Sequence, residues 1–471
     1  MPKHKVVLYN PRSVFFDMPL ALLAIGSALD SRRFEVEIID ARLTQNPQQA
    51  LAAALPGALC LGITVLTGAP LADALEMSRY AKRHFPQVPV IWGGWHPSLF
   101  PTGPLVDVPE VDITVQGQGE ETFRELTEAF AAGNPVDEIP GMAHRRSGEI
   151  VRNAPRPLAD MNVFPRVDYD LIDVEAYFAK KGRRQFDYIS STGCFFRCSF
   201  CADPFVFQRK YSALSPERMI SDLRFFQERY GFTDLNFQDE TFFTYRERIA
   251  AFAAGLVENG IRTTWAATMR ADQGSRLGDE VWQLCKKSGL RRLLIGVESG
   301  SQEMMDWLKK DIRMEQVMFC AEKCRSLEIG VIFPFIVGFP GESEASVAAT
   351  VAMVKQLREM SPDFQTPIFY FKPYPGSAIT REMEQQGFRL PQSTEEWAGF
   401  DYIGSSGPWV SRAKERFMEA FKFYLRLAFA RRGALLAPLQ ALAKWRLRRG
   451  QFALPLEKII IEKVRPGQRL S

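Results

Sequence analysis

Three cysteines carry the most specific chemistry in this sequence. Cys194, Cys198 and Cys201 lie in the run Tyr188-Ile-Ser-Ser-Thr-Gly-Cys-Phe-Phe-Arg-Cys-Ser-Phe-Cys201, at the spacing C-x3-C-x2-C. A structural zinc site takes four Cys or His ligands, usually in two pairs, and no fourth Cys or His lies near these three. A [4Fe–4S] cluster also takes four thiolates as a rule. Held by three, it keeps one iron free to bind a substrate or a second cofactor. Three unconnected structural thiols are the plain alternative; the tight spacing and the Gly before the first Cys weigh against it. Cys320 and Cys324 lie one helical turn apart and Cys285 falls in another helical stretch. Lacking a fourth Cys, these read as small buried hydrophobes.

Such a loop needs a scaffold on each side. Over residues 1–140, apolar strands over 5–9, 35–39, 58–65, 88–92 and 111–115 alternate with helical patterns over 20–29, 71–84 and 120–131. That alternation means a parallel, doubly wound sheet. Ligands of such sheets sit on the loops after the strands, here 10–18, 64–70, 93–100 and 117–120. No G-x-G-x-x-G follows the first strand; Asn10-Pro-Arg-Ser stands there instead, which weighs against NAD or FAD. Residues 141–185, with Pro155, Pro157 and Pro165, read as an extended connector without chemistry. From 186 to 385 the rhythm resumes. The strand before Cys194 and strands over 233–238, 263–268, 292–296, 330–337 and 366–371 make six, a partial β6α6 barrel with its functional groups expected on the C-terminal face. Residues 386–471 form a helical, basic C-terminal region. Within it, 395–400 and 402–410 hold aromatic and Gly residues suited to a substrate mouth. An amphipathic helix over 411–430 has Phe417, Phe421, Tyr424, Leu425 and Phe429 on its apolar side. Arg431-Arg432-Gly433 interrupts it, and a second helix covers 435–449.

The cysteine loop resembles the signature of the radical S-adenosylmethionine (SAM) enzymes, and Phe200 before the last Cys fits that family's pattern. The resemblance implies that Cys194, Cys198 and Cys201 hold a [4Fe–4S] cluster whose free iron chelates SAM, and that the cluster's electron cleaves SAM to a 5′-deoxyadenosyl radical. By the same resemblance, Asp239 and Glu240 fall where the SAM amino group is held, and Arg270 where its carboxylate is paired. Glu298 and Ser299 fall at the ribose, and the Gly338–Gly341 turn where backbone approaches the adenine. The N-terminal pattern is similar to the cobalamin-binding domain that precedes many such barrels. Thr64-Val-Leu66 matches its Ser/Thr-x-Leu loop, and Gly93-Gly94 its double glycine along the nucleotide tail. Pro19-Leu20, the run Gly93-Gly-Trp-His-Pro97 and Gly117-Gln-Gly-Glu120 also recur in this group. The D-x-H-x-x-G loop that supplies a cobalt-ligating His is missing, and 10–18 contains no His. This implies cobalamin with its base detached and no His on cobalt. His96 is the tempting alternative ligand, and a polar contact to the corrin or its tail is its expected role.

The group includes hopanoid and bacteriochlorophyll methylases. It implies a methyltransferase that moves a methyl from SAM through methylcobalamin to an unactivated carbon of a small, lipid, tetrapyrrole-like or natural-product metabolite, with a one-electron reductant such as flavodoxin or ferredoxin. The anaerobic magnesium-protoporphyrin ester cyclase, which transfers no methyl, is the second reading. A cobalamin-binding sensor or carrier with an inactive barrel is the third, and the intact cysteine triplet speaks against it.

Bulk properties bound the setting. The chain is 46% hydrophobic and 24% charged, ordinary for a globular protein. Clustered, unpaired-looking cysteines argue for a reducing compartment. The start, Met1-Pro-Lys-His-Lys, runs straight into a strand, so no signal peptide is expected, and no apolar run reaches the ~20 residues of a membrane span. The net charge of +4 is unevenly placed: 411–471 carries fifteen Lys/Arg against four Asp/Glu, a local +11, leaving −7 for the rest. A cytoplasmic protein is expected. Its basic helix with Trp445 reads as a cap on the barrel or as a contact with the inner face of a membrane. No nucleic-acid motif accompanies the charge.

Overall fold

A computed structural model describes residues 2–401, 406–430, 437–452 and 457. The chain divides into two units: Met1–Thr268 with Gly278–Leu290 and Pro373–Tyr402, and Met269–Leu277 with Arg291–Lys372 and Ile403–Ser471.

The first unit begins with the sheet that the apolar runs dictate. Its strands are β1 (His4–Asn10), β2 (Phe34–Asp40), β3 (Ala58–Thr64), β4 (Val90–Gly93), β5 (Ile113–Val115), β6 (Met142–Arg146) and β7 (Glu149–Arg152), in the order β2-β1-β3-β4-β5-β6-β7. The first five are parallel and the last two antiparallel. Val6 to Tyr9 are all fully buried because helices cover both faces. One face packs Val7, Leu61, Leu71 and Ala74, the other Val6, Leu22, Phe123 and Leu126.

Two segments differ from the sequence expectation. The connector 141–185 opens with the β6–β7 hairpin, and Ser147 (φ 50°) with Gly148 (φ 87°) forms its two-residue turn. Positive φ at both central residues is the turn that matches strand twist. The same connector holds a helix, Val174–Lys181, capped by the Asp173 side chain and closed by left-handed Gly182. The segment 395–400 does not line a mouth. Trp397 is 4% exposed, its ring 5.1 Å from Phe100 in the core of the N-terminal sheet, and Thr394 donates its N–H and hydroxyl to Asp107.

The β/α succession of a partial β6α6 barrel runs through both units. In the first unit β8 (Gln185–Tyr188), β11 (Asp234–Phe237) and β12 (Thr264–Met269) pair in parallel, and β9 (Ser191–Gly193) forms a small antiparallel pair with β10 (Tyr211–Ala213). In the second unit β13 (Leu290–Ile295), β14 (Gly330–Ile332) and β16 (Phe364–Gln365) are parallel neighbours, as are β15 (Phe335–Val337) and β17 (Ile368–Tyr370). The expected strands 330–337 and 366–371 are therefore each interrupted, next to Pro334 and Pro367. Proline donates no ladder hydrogen bond. The Pro334 carbonyl instead accepts the N–H groups of Val297 and Glu298 at 3.2 and 3.0 Å.

Helices Arg412–Ala428 and Ala437–Arg449 follow. The first buries Phe421, Tyr424 and Leu425 while Phe417 stays 37% exposed. The expected interruption at 431–433, the start of the second helix and the 402–405 part of the substrate mouth lie outside the described residues. Among the described residues no helix is long and apolar enough to cross a membrane. The fold is thus a doubly wound α/β domain, a partial barrel of the TIM type and a helical C-terminal region.

Candidate active site

The cysteine loop hangs from β9. Gly193 has φ +80°, and a Cβ there would meet the Lys210 carbonyl oxygen at 2.4 Å, so only Gly fits before Cys194. Asp239, at the end of β11, accepts the Ser190 N–H at 2.8 Å and its hydroxyl at 2.7 Å, and the Ser191 hydroxyl as well. Arg248 binds the same turn, donating to the Ser190 carbonyl at 3.0 Å and hydroxyl at 2.8 Å and to Leu214 O at 2.9 Å. From below, Ser199 O accepts the Ile379 N–H. Cys194, Cys198 and Cys201 are each half-buried, as is Phe200. Among the described residues no set of three or more His, Cys, Asp or Glu is arranged to hold a single metal ion.

Asp239 is thus committed to shaping the loop, and burial pushes its carboxyl upward. The sequence expectation placed Asp239 with Glu240 at the SAM amino group; here its carboxylate oxygens are engaged by Ser190 and Ser191. Glu240 is the available member: it lines a cavity, and its Oε2 is buried with no partner among the described residues. Burial, reinforced by Asp203, raises Glu240 to about 8. Asp203 is 4% exposed with both carboxylate oxygens without partner among the described residues, and burial raises it to about 7. Two such carboxyls beside a cysteine loop suit a cationic ligand.

The cavity holds about 500 Å³ within the first unit. One wall comes from the strand ends of the N-terminal sheet: Thr64, Leu66, Gly93, Gly94, Gly117 and Gln118. The other comes from the barrel, with Tyr188, Thr192, Gln238 and Glu240. Gly94 has φ +95° and no room for a Cβ, which would lie 3.0 Å from Thr64 Oγ1 and 3.1 Å from Val65 N and O, whereas Gly93 has nothing within 4 Å of that position. Ser98 ties two loops, donating to Gly94 O at 2.7 Å and accepting the Gly117 N–H at 2.9 Å. Gln118 Nε2 is buried without a partner among the described residues. A backbone cradle and an orphaned amide donor fit a flat, amide-rich ligand such as cobalamin.

Among the described residues no histidine lines the cavity. His96 is 1% exposed and turned away, its Nδ1 3.1 Å from Thr67 Oγ1 and its ring against Phe100. Burial lowers it to about 4, so it is neutral at neutral pH. His96, expected to make a polar contact to the corrin or its tail, instead packs on Thr67 and Phe100 and is absent from the cavity lining. Sequence reasoning placed Ser98 and Gln118 inside its expected ligand loops, 93–100 and 117–120, without singling them out, and missed Asp203, for which spacing gives no signal.

In the second unit Arg270 and Glu298 meet through Lys310. Arg270 donates to Asp272 at 3.0 Å and to the Lys310 carbonyl, and the Lys310 ammonium pairs with Glu298. Glu298 has φ 65°, an uncommon backbone for a non-Gly residue and one found at functional strand ends. Ser299 is fully buried with its hydroxyl against Thr350 at 3.3 Å. Gly338 (φ 77°) and Gly341 (φ 75°) make a left-handed turn, and a Cβ at Gly341 would meet nothing within 4 Å.

Comparison with known proteins agrees with this geometry. Residues 188–354 match the Radical SAM superfamily and residues 12–127 the B12 binding domain. An uncharacterized methyltransferase of Pyrococcus horikoshii is 27% identical over 369 residues, 78% of each chain. The anaerobic magnesium-protoporphyrin IX monomethyl ester cyclase of Synechocystis is 26% identical over 298 residues, 62% of this chain and 59% of the cyclase. Among solved structures, the cobalamin-dependent S-adenosylmethionine radical enzyme OxsB superposes with a TM-score of 0.74 at 18% identity, covering 91% of this chain and 67% of that one. The radical S-adenosylmethionine methyltransferase TsrM of Kitasatospora setae does so at 0.70 and 21%, covering 82% and 76%. The chain belongs to the radical SAM proteins that carry an N-terminal B12-binding domain, and its cofactors are a [4Fe–4S] cluster, SAM and cobalamin.

Proposed function

We propose that this protein is a cobalamin-dependent radical SAM methyltransferase acting on an unactivated carbon of a small metabolite. The observation that carries the reading is the cavity in which Thr64, Gly93, Gly94 and Gly117 face Tyr188, Gln238 and Glu240 beside the cysteine loop. When bound, SAM supplies a methyl group and, at the cluster, a 5′-deoxyadenosyl radical, while cobalamin carries the methyl. In this reading Cys194, Cys198 and Cys201 hold the cluster and Phe200 packs beside it. Glu240 accepts from the SAM ammonium. Arg270 orients the carboxylate, Glu298 accepts from the ribose with Ser299 fixing that strand end through Thr350, and Gly338 and Gly341 admit the adenine. Thr64, Leu66, Gly93, Gly94 and Gly117 seat cobalamin. The division implied is 1–140 for cobalamin, 141–185 as connector, 186–385 as barrel and 386–471 as the C-terminal region. A one-electron reductant of the flavodoxin or ferredoxin type serves the cluster.

The test is product analysis. A methylase uses SAM as methyl donor and as radical source, so turnover leaves S-adenosylhomocysteine and 5′-deoxyadenosine in comparable amounts, and label from a deuterated SAM methyl reaches the product. The second reading, an oxidative cyclisation without methyl transfer, is favoured by the Synechocystis relative. It predicts 5′-deoxyadenosine alone and an unlabelled product, and that result would move the assignment.

The helix Ala437–Arg449 supports a peripheral membrane contact. It buries Ala443 and Leu447 but exposes Leu442 (37%) and Trp445 (45%) beside Lys444, Arg448 and Arg449. Apolar side chains flanked by cations suit an anionic lipid surface. Salt-sensitive sedimentation with anionic liposomes, lost in Trp445→Glu, is the expected outcome. Equal sedimentation of both proteins leaves the helix as a cap only.

A further inference from the structure

We propose that Trp409 and Lys414, from the C-terminal region, are positioning residues for SAM: they hold the Gly338–Gly341 turn in the shape that admits the adenine. This rests on the reading of that turn as the adenine loop.

The contacts converge on one peptide. The Gly338 N–H donates to Glu342 Oε2 at 2.7 Å, and the Gly338 carbonyl accepts the Trp409 indole N–H at 2.7 Å. Both polar atoms of the residue are thus fixed, one from within the turn and one from the C-terminal region. The carboxylate that fixes the N–H is itself fixed from there: Lys414 Nζ lies 2.7 Å from the same Glu342 Oε2 and 3.5 Å from the Glu342 carbonyl. The Glu342 side chain is fully buried while that of Lys414 is 20% exposed. Without Lys414 a buried carboxylate would stand unpaired, which a fold relieves by moving or protonating it. Val410 closes the remaining side, its Cγ2 2.8 Å from where a Cβ of Gly338 would stand. The Trp409 ring packs on Phe371 at 6.1 Å, Phe371 on Phe339 at 4.8 Å, and Phe339, inside the turn, on Trp307 at 5.8 Å. An open left-handed turn of Gly-Phe-Pro-Gly has many accessible shapes. Two bonds from residues some seventy positions away select one.

The variants are Trp409→Phe, which removes the indole N–H and keeps most of the ring, Lys414→Met, and Lys414→Arg as the conservative rescue. Gly341→Val probes the turn directly; it forces a β-branched residue to φ 75°, so its unfolding midpoint is read beside its SAM affinity, and a SAM loss counts for the adenine reading only where the midpoint holds. The full-length protein is reconstituted anaerobically with cluster and cobalamin. The readouts are SAM binding, KM and kcat for 5′-deoxyadenosine formation, cobalamin content and the cluster EPR signal without SAM.

Trp409→Phe and Lys414→Met are expected to raise the SAM Kd and KM about five- to tenfold, the loss of one hydrogen bond, with kcat, cobalamin content and the SAM-free EPR signal near wild type. Lys414→Arg is expected to recover most of the affinity. If Gly341→Val weakens SAM but Trp409→Phe and Lys414→Met bind it as wild type does, the positioning role is wrong and the adenine reading stands. If Gly341→Val binds SAM normally, the adenine reading falls and takes this inference with it. A loss of SAM affinity matched by an equal loss of cobalamin would mean general loosening and would also overturn the proposal.

Discussion

The backbone N–H of Met18 donates to the carboxylate of Asp187 at 2.8 Å, fastening the first loop of the N-terminal sheet to the first strand of the barrel. Asp187 is fully buried. Its carboxylate also pairs with Lys181, and its carbonyl accepts the Tyr169 hydroxyl at 2.9 Å. The loop it holds supplies Asp17 and Met18 to the cavity wall. Asp187→Ala strands the Lys181 ammonium, whose side chain is 7% exposed. The expected cost is about 3 kcal/mol in denaturant unfolding, with weaker cobalamin retention. Lys181→Met in the same background should return part of the stability. An unchanged unfolding midpoint for Asp187→Ala would show that the clasp carries no weight.

The two adjacent glycines separate a binding effect from a folding effect. Gly93 lines the cavity and has open space where a Cβ would stand, while Gly94 is left-handed and hemmed in by Thr64 and Val65. Gly93→Val should therefore fill ligand space and lower cobalamin affinity at least tenfold with the unfolding midpoint near wild type. Gly94→Val forces a β-branched residue to positive φ and should lose both cobalamin and stability, the latter by about 2 kcal/mol or more. Because no histidine among the described residues lines the cavity, EPR of the Co(II) state should carry no nitrogen hyperfine from a protein ligand. Full cobalamin loading of Gly93→Val would rule out this wall as the binding surface.

The long-range plan was legible because it rests on period and punctuation. Apolar runs such as Val6–Tyr9 can be buried only between two helical layers, and the cysteine spacing is rare without a cluster. What escaped the reading follows from partners far apart in sequence. Asp239 and Glu240 are neighbours, and nothing local tells which faces Ser190 and which faces the cavity. His96 sits in a loop at the binding edge, yet Thr67 and Phe100 draw it inward. The β6–β7 hairpin had a local signal in the Ser147-Gly148 turn, but its strands Met142–Arg146 and Glu149–Arg152 lack clean alternation and prolines follow. Pro334 and Pro367 likewise mark the interruptions of the two last barrel strands.

The last prediction concerns Glu240 and proton release. Its folded-state value, about 8, lies well above the ordinary value near 4.3 because burial and Asp203 disfavour the charged form. An acid raised in this way adds stability that is full below the unfolded value and is lost as pH rises through about 8. At pH 7 the free protein therefore holds Glu240 mostly protonated. The SAM ammonium favours the carboxylate, so binding below about pH 8 must expel that proton. SAM affinity should accordingly rise with pH, by up to about tenfold per unit, and level off above about 8. Glu240→Gln keeps the shape but has no proton to release, so its affinity should be lower and lack this slope. Binding of SAM measured by equilibrium dialysis from about pH 6 to 8.5, on protein holding its cluster, reads both quantities. An identical slope in wild type and Glu240→Gln would mean that another group titrates, and the ammonium would have to be assigned to a different acceptor, with the orphaned carboxylate of Asp203 the next in line.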